Sequence, residues 1–314
     1  MTFEFCNVNL SRMKDAALKE IRQQVISTLW QDYCQRTPQL QIIKDALQRK
    51  GVRKLYLDHF AIIDLPGPIS GIPVLRKLFS TLGFRVRGQG YLPEKQNDFC
   101  WLAEIDSEQQ PAKMVLPQVV VADFRLNEMP NEISAIVKKY VGQATKLPPI
   151  MGETEAPADF ISRIQHYLAG RDWPLPTLKE LSVVEAFNPL LAWVLVFGRR
   201  PNHFTISIHL HEQFQSLKEF QQFIVDEVKL PLNEEGGWIK GSAEAGIEQG
   251  STLGWPVIIA LPDGEIQMRT GFVEFVWRHA QSLVSMKELT WNSYFTGFIA
   301  HQANHVIESL YQKD

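Results

Sequence analysis

Residues 203–211 read His-Phe-Thr-Ile-Ser-Ile-His-Leu-His, and this stretch constrains the fold more than any other part of the chain. Apolar residues occupy its even positions and polar residues its odd positions, which is the period-two pattern of a β-strand with one apolar face. The polar face carries three histidines, whereas a merely solvated face more commonly carries Lys, Glu and Thr. The pattern therefore predicts a strand over 203–211 whose polar face lines a pocket, with a solvent-exposed face as the alternative.

A succession of strand, helix and further strands occurs twice around this stretch. The first succession is predicted within 51–124, as a strand, a helix and three strands over 54–64, 72–82, 84–87, 99–105 and 118–124. The second is predicted within 200–280, as a strand, a helix and three strands over 203–211, 217–228, 244–252, 257–260 and 267–276. The order of elements repeats although no residue-level period does, so we predict a repeat of architecture.

Helical segments flank the two successions. Apolar residues between Leu18 and Leu29 recur at spacings of three and four, which predicts helix within an N-terminal segment, 1–50. We predict a helical insertion over 125–199, in which 180–187 is ambiguous between helix and strand. A C-terminal helical tail is predicted over 281–314.

Composition narrows the class of protein. The 314 residues are 45% apolar and 21% charged, which is enough apolar material for a sizeable core and excludes global disorder. The net charge of −3 argues against a nucleic-acid-binding protein, which usually has a basic excess. The longest apolar run, 190–198, is too short to cross a membrane, and three cysteines, an odd number, argue against a disulfide framework. Because Met1–Arg12 lacks the pattern of a signal peptide, we expect a cytoplasmic protein.

Two further strands carry side chains that are unusual in apolar surroundings. His59 lies in the apolar stretch 57–63, where a lone histidine is more often a satisfied core residue than a ligand. Glu274 lies in the apolar stretch 271–277, where a carboxylate needs a partner, and Arg278 on the same face is the simplest one. Together with His203 they would form a set of two histidines and one carboxylate, which binds Fe(II) and leaves positions open. Strand context suggests this set, since the sequence separations carry almost no information.

The motifs around these residues resemble those of the 2-oxoadipate dioxygenase/decarboxylase family, which is related to the vicinal-oxygen-chelate, or glyoxalase-like, superfamily. The resemblance is carried by Leu-Asp-His-Phe-Ala-Ile at 57–62, Pro-Asn-His-Phe-Thr at 201–205 and Gly-Phe-Val-Glu-Phe-Val-Trp-Arg at 271–278. Shorter matches at 91–95 and 249–252 extend it, so that it covers about residues 50–280. It implies an α+β fold in which paired βαβββ modules, 51–124 and 200–280, form a curved mixed sheet around a metal.

The resemblance also implies a reaction and its ligands. It assigns a metal to His59, His203 and Glu274, with Fe(II) expected and Zn, Ni or Mn as alternatives. The implied substrates are a small 2-oxo acid and O2. Oxidative decarboxylation releases CO2, and hydroxylation of the shortened acid gives a 2-hydroxy acid. No residue beyond the metal ligands is assigned a catalytic role, and no nucleic-acid or membrane partner is expected.

One position departs from the family pattern. The characterised enzymes have a carboxylate-binding arginine four residues after the first histidine, where this chain has Ile63. Either another arginine replaces it, with Arg278, Arg269 and Arg87 as candidates, or the substrate is not 2-oxoadipate. Contacts to the substrate are predicted for five residues: Arg278, His209, His211, Ser207 and Gln249.

Two other functions stay open at this point. The same fold and metal would serve a redox-neutral isomerase, lyase or hydrolase, and a non-catalytic metal-binding or small-molecule-binding protein is a third reading. The sequence does not indicate the oligomeric state.

Overall fold

A computed structural model describes residues 15–152, 154–281 and 289–312. The strands are β1 (Leu57–Ile63), β2 (Phe84–Leu92), β3 (Asn97–Glu104), β4 (Gln118–Phe124), β5 (Pro201–Ser207), β6 (Lys240–Ser242), β7 (Ile247–Ser251), β8 (Pro256–Leu261), β9 (Gly264–Arg269) and β10 (Phe272–Arg278). The α-helices are α1 (Asp15–Arg36), α2 (Pro38–Arg49), α3 (Ile72–Thr81), α4 (Asn131–Val141), α5 (Pro157–Tyr167), α6 (Leu178–Phe187), α7 (Pro189–Phe197), α8 (Leu217–Phe223) and α9 (Ala300–Val306).

An eight-stranded mixed sheet organises the molecule, in the order β2-β3-β4-β1-β5-β10-β7-β6. Its two halves have the same connectivity, with β1-α3-β2-β3-β4 on one side and β5-α8-β6-β7-β10 on the other. In each half the first and last strands are parallel neighbours, and β1 and β5 join the halves as an antiparallel pair. The predicted α+β fold with paired βαβββ units is confirmed, and β8–β9 is a separate hairpin inserted before β10.

An approximate twofold relation connects the halves at the β1–β5 pair. Phe60 lies opposite Phe204, and their stacked rings have centroids 4.7 Å apart. Since His59 and His203 each precede one of these phenylalanines, the two histidines occupy equivalent positions. The predicted repeat of architecture is therefore present, although its sequence trace is little more than a His-Phe pair in each half.

The two faces of the sheet have different partners. Phe60, Phe204 and Phe275 belong to a buried core shared with helices α1, α2, α3, α5 and α8. The opposite face carries His59 and His203, because adjacent residues of a strand point to opposite sides. Helix α9 lies across this second face and contacts β2 at one edge of the sheet and β6 and β7 at the other. The sheet therefore curves around a space that α9 closes.

The N-terminal helices hold the start of β10. The Tyr33 hydroxyl of α1 donates a hydrogen bond to the carbonyl oxygen of Phe272, and the Gln39 amide of α2 donates to that of Gly271 at 2.9 Å. A Cβ atom at Gly271 would lie 2.4 Å from the carbonyl oxygen of Asn202, so only glycine permits this close approach. These contacts fix the strand that carries Glu274.

The strand predicted over 203–211 is wrong beyond Ser207, where a 3₁₀ turn, Ile208–Leu210, begins. The cause is the end of the hydrogen-bonded ladder: Ser207 pairs with Val276 of β10, and its amide reaches the last available carbonyl oxygen, that of Tyr56. Alternation continues in the sequence although β1, which begins at Leu57, offers no further residue to pair with it.

Other boundaries also differ from the prediction. The strand predicted over 267–276 is two strands, because β9 pairs with β8 outside the main sheet and β10 begins only at Phe272. The predicted helix 217–228 ends as α8 at Phe223 and continues as a π-turn, and the strand predicted over 244–252 is shortened to β7. The ambiguous 180–187 is helical.

The C-terminal tail is less helical than predicted, with α9 flanked by 3₁₀ turns, and residues 1–14, 282–288, 313 and 314 of the terminal segments lie outside the described ranges. The five segment boundaries stay predictions. Among the helices in the described ranges, none combines the length and the apolar character needed to cross a membrane.

Phe204 tests the importance of the β1–β5 contact. Its side chain is fully buried, so Phe204→Ala is expected to lower the free energy of unfolding by about 3–5 kcal/mol. Urea denaturation would measure this loss, with Ile258→Ala as the control because Ile258 is 71% exposed. The control should change stability by no more than about 0.5 kcal/mol. Equal effects of the two substitutions would contradict the assigned role of the Phe60–Phe204 contact.

Candidate metal centre

Three side chains of metal-ligand type converge on the curved face of the sheet. His59 comes from β1, His203 from β5 and Glu274 from β10, three strands that are adjacent in the sheet. The carboxylate oxygen Oε2 of Glu274 lies 3.1 Å from Nε2 of His203 and 3.4 Å from Nε2 of His59. One ligand atom from each residue lies within 4.8 Å of the other two. The structure thus brings together the three residues predicted to bind metal.

The spacing of these atoms fits a shared ion. Donors that are each ~2.1 Å from one metal lie ~3.0 Å apart at right angles and ~3.4 Å apart in a tetrahedron. The residues are also almost completely buried, at 2%, 6% and 1% exposure for His59, His203 and Glu274. A buried carboxylate facing two imidazoles requires a positive charge between them. The chemistry and geometry of the donor set therefore fit a divalent transition metal.

The pKa values of the three clustered residues also fit a site for a cation. Burial lowers the pKa of His59, but the charges of Glu274 and Asp58 and the hydrogen bonds to them outweigh burial and raise it to about 9. Burial lowers the pKa of His203 to about 4. Burial would raise the pKa of Glu274, yet the two histidines hold it below its ordinary value. When the cluster holds no metal, His59 therefore carries a second proton and a positive charge. A bound cation would replace that proton.

Asp58 and Arg278 orient His59 from the side of its ring that faces away from the cluster. Oδ1 of Asp58 lies 2.7 Å from Nδ1 of His59, which directs Nε2 towards the other two residues. Arg278 donates two hydrogen bonds to Asp58, from Nε at 2.6 Å and Nη2 at 2.8 Å. Nη1 of Arg278 donates to the carbonyl oxygens of Phe295 and Gly297. The alternative pairing of Glu274 with Arg278 is therefore wrong, because Arg278 is bound by Asp58.

Gln249 orients the carboxylate of Glu274. Its side-chain nitrogen donates to Oε1 of Glu274 at 2.7 Å, which leaves Oε2 to face the histidines. Thr205, which the sequence placed on the polar face of its strand, lies at the cluster as well, with Oγ1 3.1 Å from Nε2 of His59. Of the five predicted substrate-contacting residues, Gln249 is the one that the structure places beside the cluster.

His209, His211 and Ser207 are not brought to the cluster. Because β5 ends at Ser207, the two histidines turn away and line a separate cavity with Trp277 and Tyr294. Ser207 is buried and borders neither cavity. A solvent-exposed polar face, the alternative for this strand, is wrong because His203, Thr205 and Ser207 are all buried.

The cluster opens into a mainly apolar cavity of about 70 Å³. Beyond the three clustered residues, its lining comprises Ala61, Ile63, Leu92, Asn97, Phe99, Val120, Ala122, Gln249, Phe298, Ala303, Val306 and Ile307. The sequence did not indicate the C-terminal members of this set, because nothing local marks a residue that reaches a sheet some 200 positions earlier in the chain. The strand predicted over 118–124 is the signal that placed Val120 and Ala122 in the sheet.

The arginines considered as substitutes at position 63 lie elsewhere. Arg87 pairs with Glu108, and Arg269 donates to the carbonyl oxygens of Gly254 and Gln312. Neither residue, nor Arg278, borders the cavity, whereas Ile63 does.

Comparisons with known proteins agree with this architecture, although no family model matches the sequence. The 2-oxoadipate dioxygenase/decarboxylase of Arabidopsis thaliana, a chloroplastic protein, is 23% identical over 98% of this chain and 82% of its own length. The corresponding protein of Oryza sativa subsp. japonica is 25% identical over 81% of this chain and 68% of its own length. The predicted resemblance to proteins of this name is confirmed.

Solved structures confirm the fold. Hydroxyglutarate synthase from Oryza sativa, determined in complex with 2-oxoadipate, has a TM-score of 0.79 and 24% identity, covering 95% of this chain and 94% of its own. A Ralstonia eutropha JMP134 protein assigned to the glyoxalase superfamily has a TM-score of 0.71 and 17% identity, covering 90% of this chain and 87% of its own. The predicted glyoxalase-like architecture is therefore correct.

Asp58 offers a test of the buried charge network. Asp58→Asn would leave Arg278 without its counter-charge in a site where both side chains are fully buried, so we expect a loss of about 3–5 kcal/mol in the free energy of unfolding. Chemical denaturation would measure the loss. Asp45→Asn, at an exposed position of α2, is the matched control and should be nearly neutral. A stable Asp58→Asn variant would show that Arg278 finds another partner.

Gln249 offers a test of the metal centre. Gln249→Ala removes the hydrogen bond that orients Glu274 but leaves all three ligands in place, so metal affinity should fall about 10–100-fold. Isothermal titration with Fe(II) under anaerobic conditions would measure the change. Gln267→Ala, on the exposed side of β9, should bind metal as the unmodified protein does. Unchanged affinity in Gln249→Ala would contradict the role given to this amide.

Proposed function

We propose that the protein is an Fe(II)-dependent oxygenase that converts a 2-oxo acid and O2 into CO2 and a 2-hydroxy acid shorter by one carbon. The observation that carries this proposal is the convergence of two buried imidazoles and one buried carboxylate at one end of an enclosed apolar cavity. The names of the curated relatives, dioxygenases and decarboxylases of 2-oxoadipate, support the same class of reaction.

The proposed reaction needs no further reductant. In R–CH2–CO–COO⁻ + O2 → R–CH(OH)–COO⁻ + CO2, the original carboxylate leaves as CO2. One oxygen atom of O2 enters the new carboxylate at the former keto carbon, and the other enters the hydroxyl group on the neighbouring carbon. The methylene carbon supplies two of the four electrons that reduce O2, and the former keto carbon and the carboxylate carbon that leaves as CO2 supply one each.

Fe(II) held by His59, His203 and Glu274 would supply the dioxygen chemistry and leave positions for a chelating 2-oxo acid. Among the described residues, the approximate twofold relation accounts for a proposed set of three ligands rather than four. Glu274 pairs with Thr205 across the β5–β10 ladder, and the equivalent position opposite Ala61 on β4 is Val120. Val120 borders the cavity and has no ligand atom, so one side of the cluster is apolar and open to a substrate.

The other residues of the site position groups and exclude water. Asp58 holds the Nδ1 proton of His59, so that Nε2 keeps its lone pair for the cluster. Phe298 packs edge-on against His59, with ring centroids 4.7 Å apart, and covers it from the C-terminal side. The apolar lining reduces hydration of the cavity, which strengthens the interaction between an anionic substrate and a bound cation.

A redox-neutral metal-dependent reaction is the second candidate, because two histidines and one glutamate also form the ligand set of hydrolytic Zn enzymes. The same donor atoms accept Ni or Mn. We retain the cytoplasm as the proposed location.

Metal-dependent oxygen uptake tests the proposal. The protein would be loaded anaerobically with Fe(II), Zn, Ni or Mn, and O2 and CO2 would be followed with a panel of 2-oxo acids. We expect consumption of O2 and release of CO2 in equal amounts with Fe(II) alone, and loss of both by at least about 100-fold in Glu274→Ala, because a ligand is removed.

His166→Ala is the control, since His166 is an exposed histidine of α5. It should retain full activity and metal content. Stoichiometric metal binding without oxygen uptake on any 2-oxo acid would favour the redox-neutral alternative. Failure to bind any of these metals would overturn both candidates.

A further inference from the structure

Within the described part of the chain, the cavity beyond the metal cluster has no group that would bind a second anionic end of a substrate. Among the described residues that line it, none is an arginine or a lysine. Asn97 and Gln249 are the polar members of the described lining besides the three clustered residues, and both have other partners. The Asn97 amide donates to the carbonyl oxygen of Asp123 at 2.8 Å, and that of Gln249 donates to Glu274.

Gln249 is moreover unsuited to a carboxylate. Its Oε1 atom is buried and has no hydrogen-bond partner within the described part of the chain. A carbonyl oxygen only accepts hydrogen bonds, and a carboxylate also only accepts them, so the two groups repel each other.

Cations around the cavity are directed elsewhere. Arg278 is bound by Asp58 on the far side of His59. Lys240 donates to the carbonyl oxygen of Asn233 at 2.7 Å, and Lys95 pairs with Glu308 at 3.1 Å. None of these three residues borders the cavity.

From this lining we infer that the preferred substrate is a monocarboxylic 2-oxo acid with a compact apolar side chain, and not a dicarboxylic 2-oxo acid. This inference rests on the proposed function, because it assumes that the 2-oxo carboxylate group of the substrate faces His59, His203 and Glu274.

The direction of β1 indicates where the side-chain end of such a substrate would lie. His59, Ala61 and Ile63 share one face of the strand, and alternate residues are ~6.6 Å apart. A substrate held at His59 therefore extends past the small side chain of Ala61 towards Ile63. Leu92, Val306 and Ile307 complete the wall of the cavity.

This wall discriminates strongly between the two kinds of substrate. A methylene group that it buries improves affinity about fourfold. A carboxylate buried there without a partner reduces affinity about 100-fold or more. The small volume of the cavity further favours a short side chain.

Two substrates of equal chain length test the inference. 2-Oxohexanoate and 2-oxoadipate differ only by a terminal methyl or carboxylate group. We expect kcat/KM to be about 100-fold higher for 2-oxohexanoate with the Fe(II)-loaded protein. Anaerobic calorimetry should give the same order of affinities, which provides a readout that does not depend on turnover.

Ile63→Arg should reverse this preference by providing a guanidinium group at the distal end, with at least a tenfold gain for 2-oxoadipate. Ile63→Met changes shape without charge and should keep the preference for 2-oxohexanoate. If Ile63→Arg fails to fold, Val306→Arg places the same charge on the opposite wall, from α9.

The outcomes separate the two proposals. Turnover with a preference for 2-oxoadipate in the unmodified protein would overturn the inference and leave the proposed function intact. Tighter binding of 2-oxohexanoate without oxygen uptake would support the inferred ligand and contradict the oxygenase reaction. If neither acid binds, the inference is wrong.

Discussion

Antiparallel pairing of β1 with β5 is the interaction on which the site depends. It joins the two βαβββ halves and sets Phe60 opposite Phe204, so that the histidine before each phenylalanine turns to the curved face. Parallel pairing of β10 with β5 then adds Glu274 opposite Thr205. Because side chains alternate between faces, a slip of one residue in either pairing would move a ligand into the helix-covered core.

Buried charge connects this pairing to the closure of the cavity. Asp58 accepts from His59 on one side and from Arg278 on the other, and Arg278 also binds the carbonyl oxygens of Phe295 and Gly297. The next residue, Phe298, covers His59. The segment that closes the cavity is therefore attached to the same hydrogen-bond network that orients a candidate ligand. A change in this network would alter the position of the closing segment as well.

Local pattern was sufficient for much of this molecule. Short apolar runs and turn residues located β1, α3 and β4 closely, since a short apolar segment bounded by turn residues is typical of a buried element. Pattern was misleading over 203–211, where alternation continues after the ladder has ended at Ser207. It also joined 267–276 into one strand, because nothing in a sequence shows that two consecutive strands pair in different sheets.

The sequence by itself determined the alternation of the strands, the presence of His59, His203 and Glu274 in apolar surroundings, and the aliphatic residue at position 63. Only the tertiary structure decided that the three side chains meet, that Arg278 binds Asp58 and does not border the cavity, and that the C-terminal segment supplies part of the wall. The physical reason is that periodicity reports the face of an element on which a side chain lies. The partner that the side chain meets there is set by strand order and register, which bring together residues far apart in the chain.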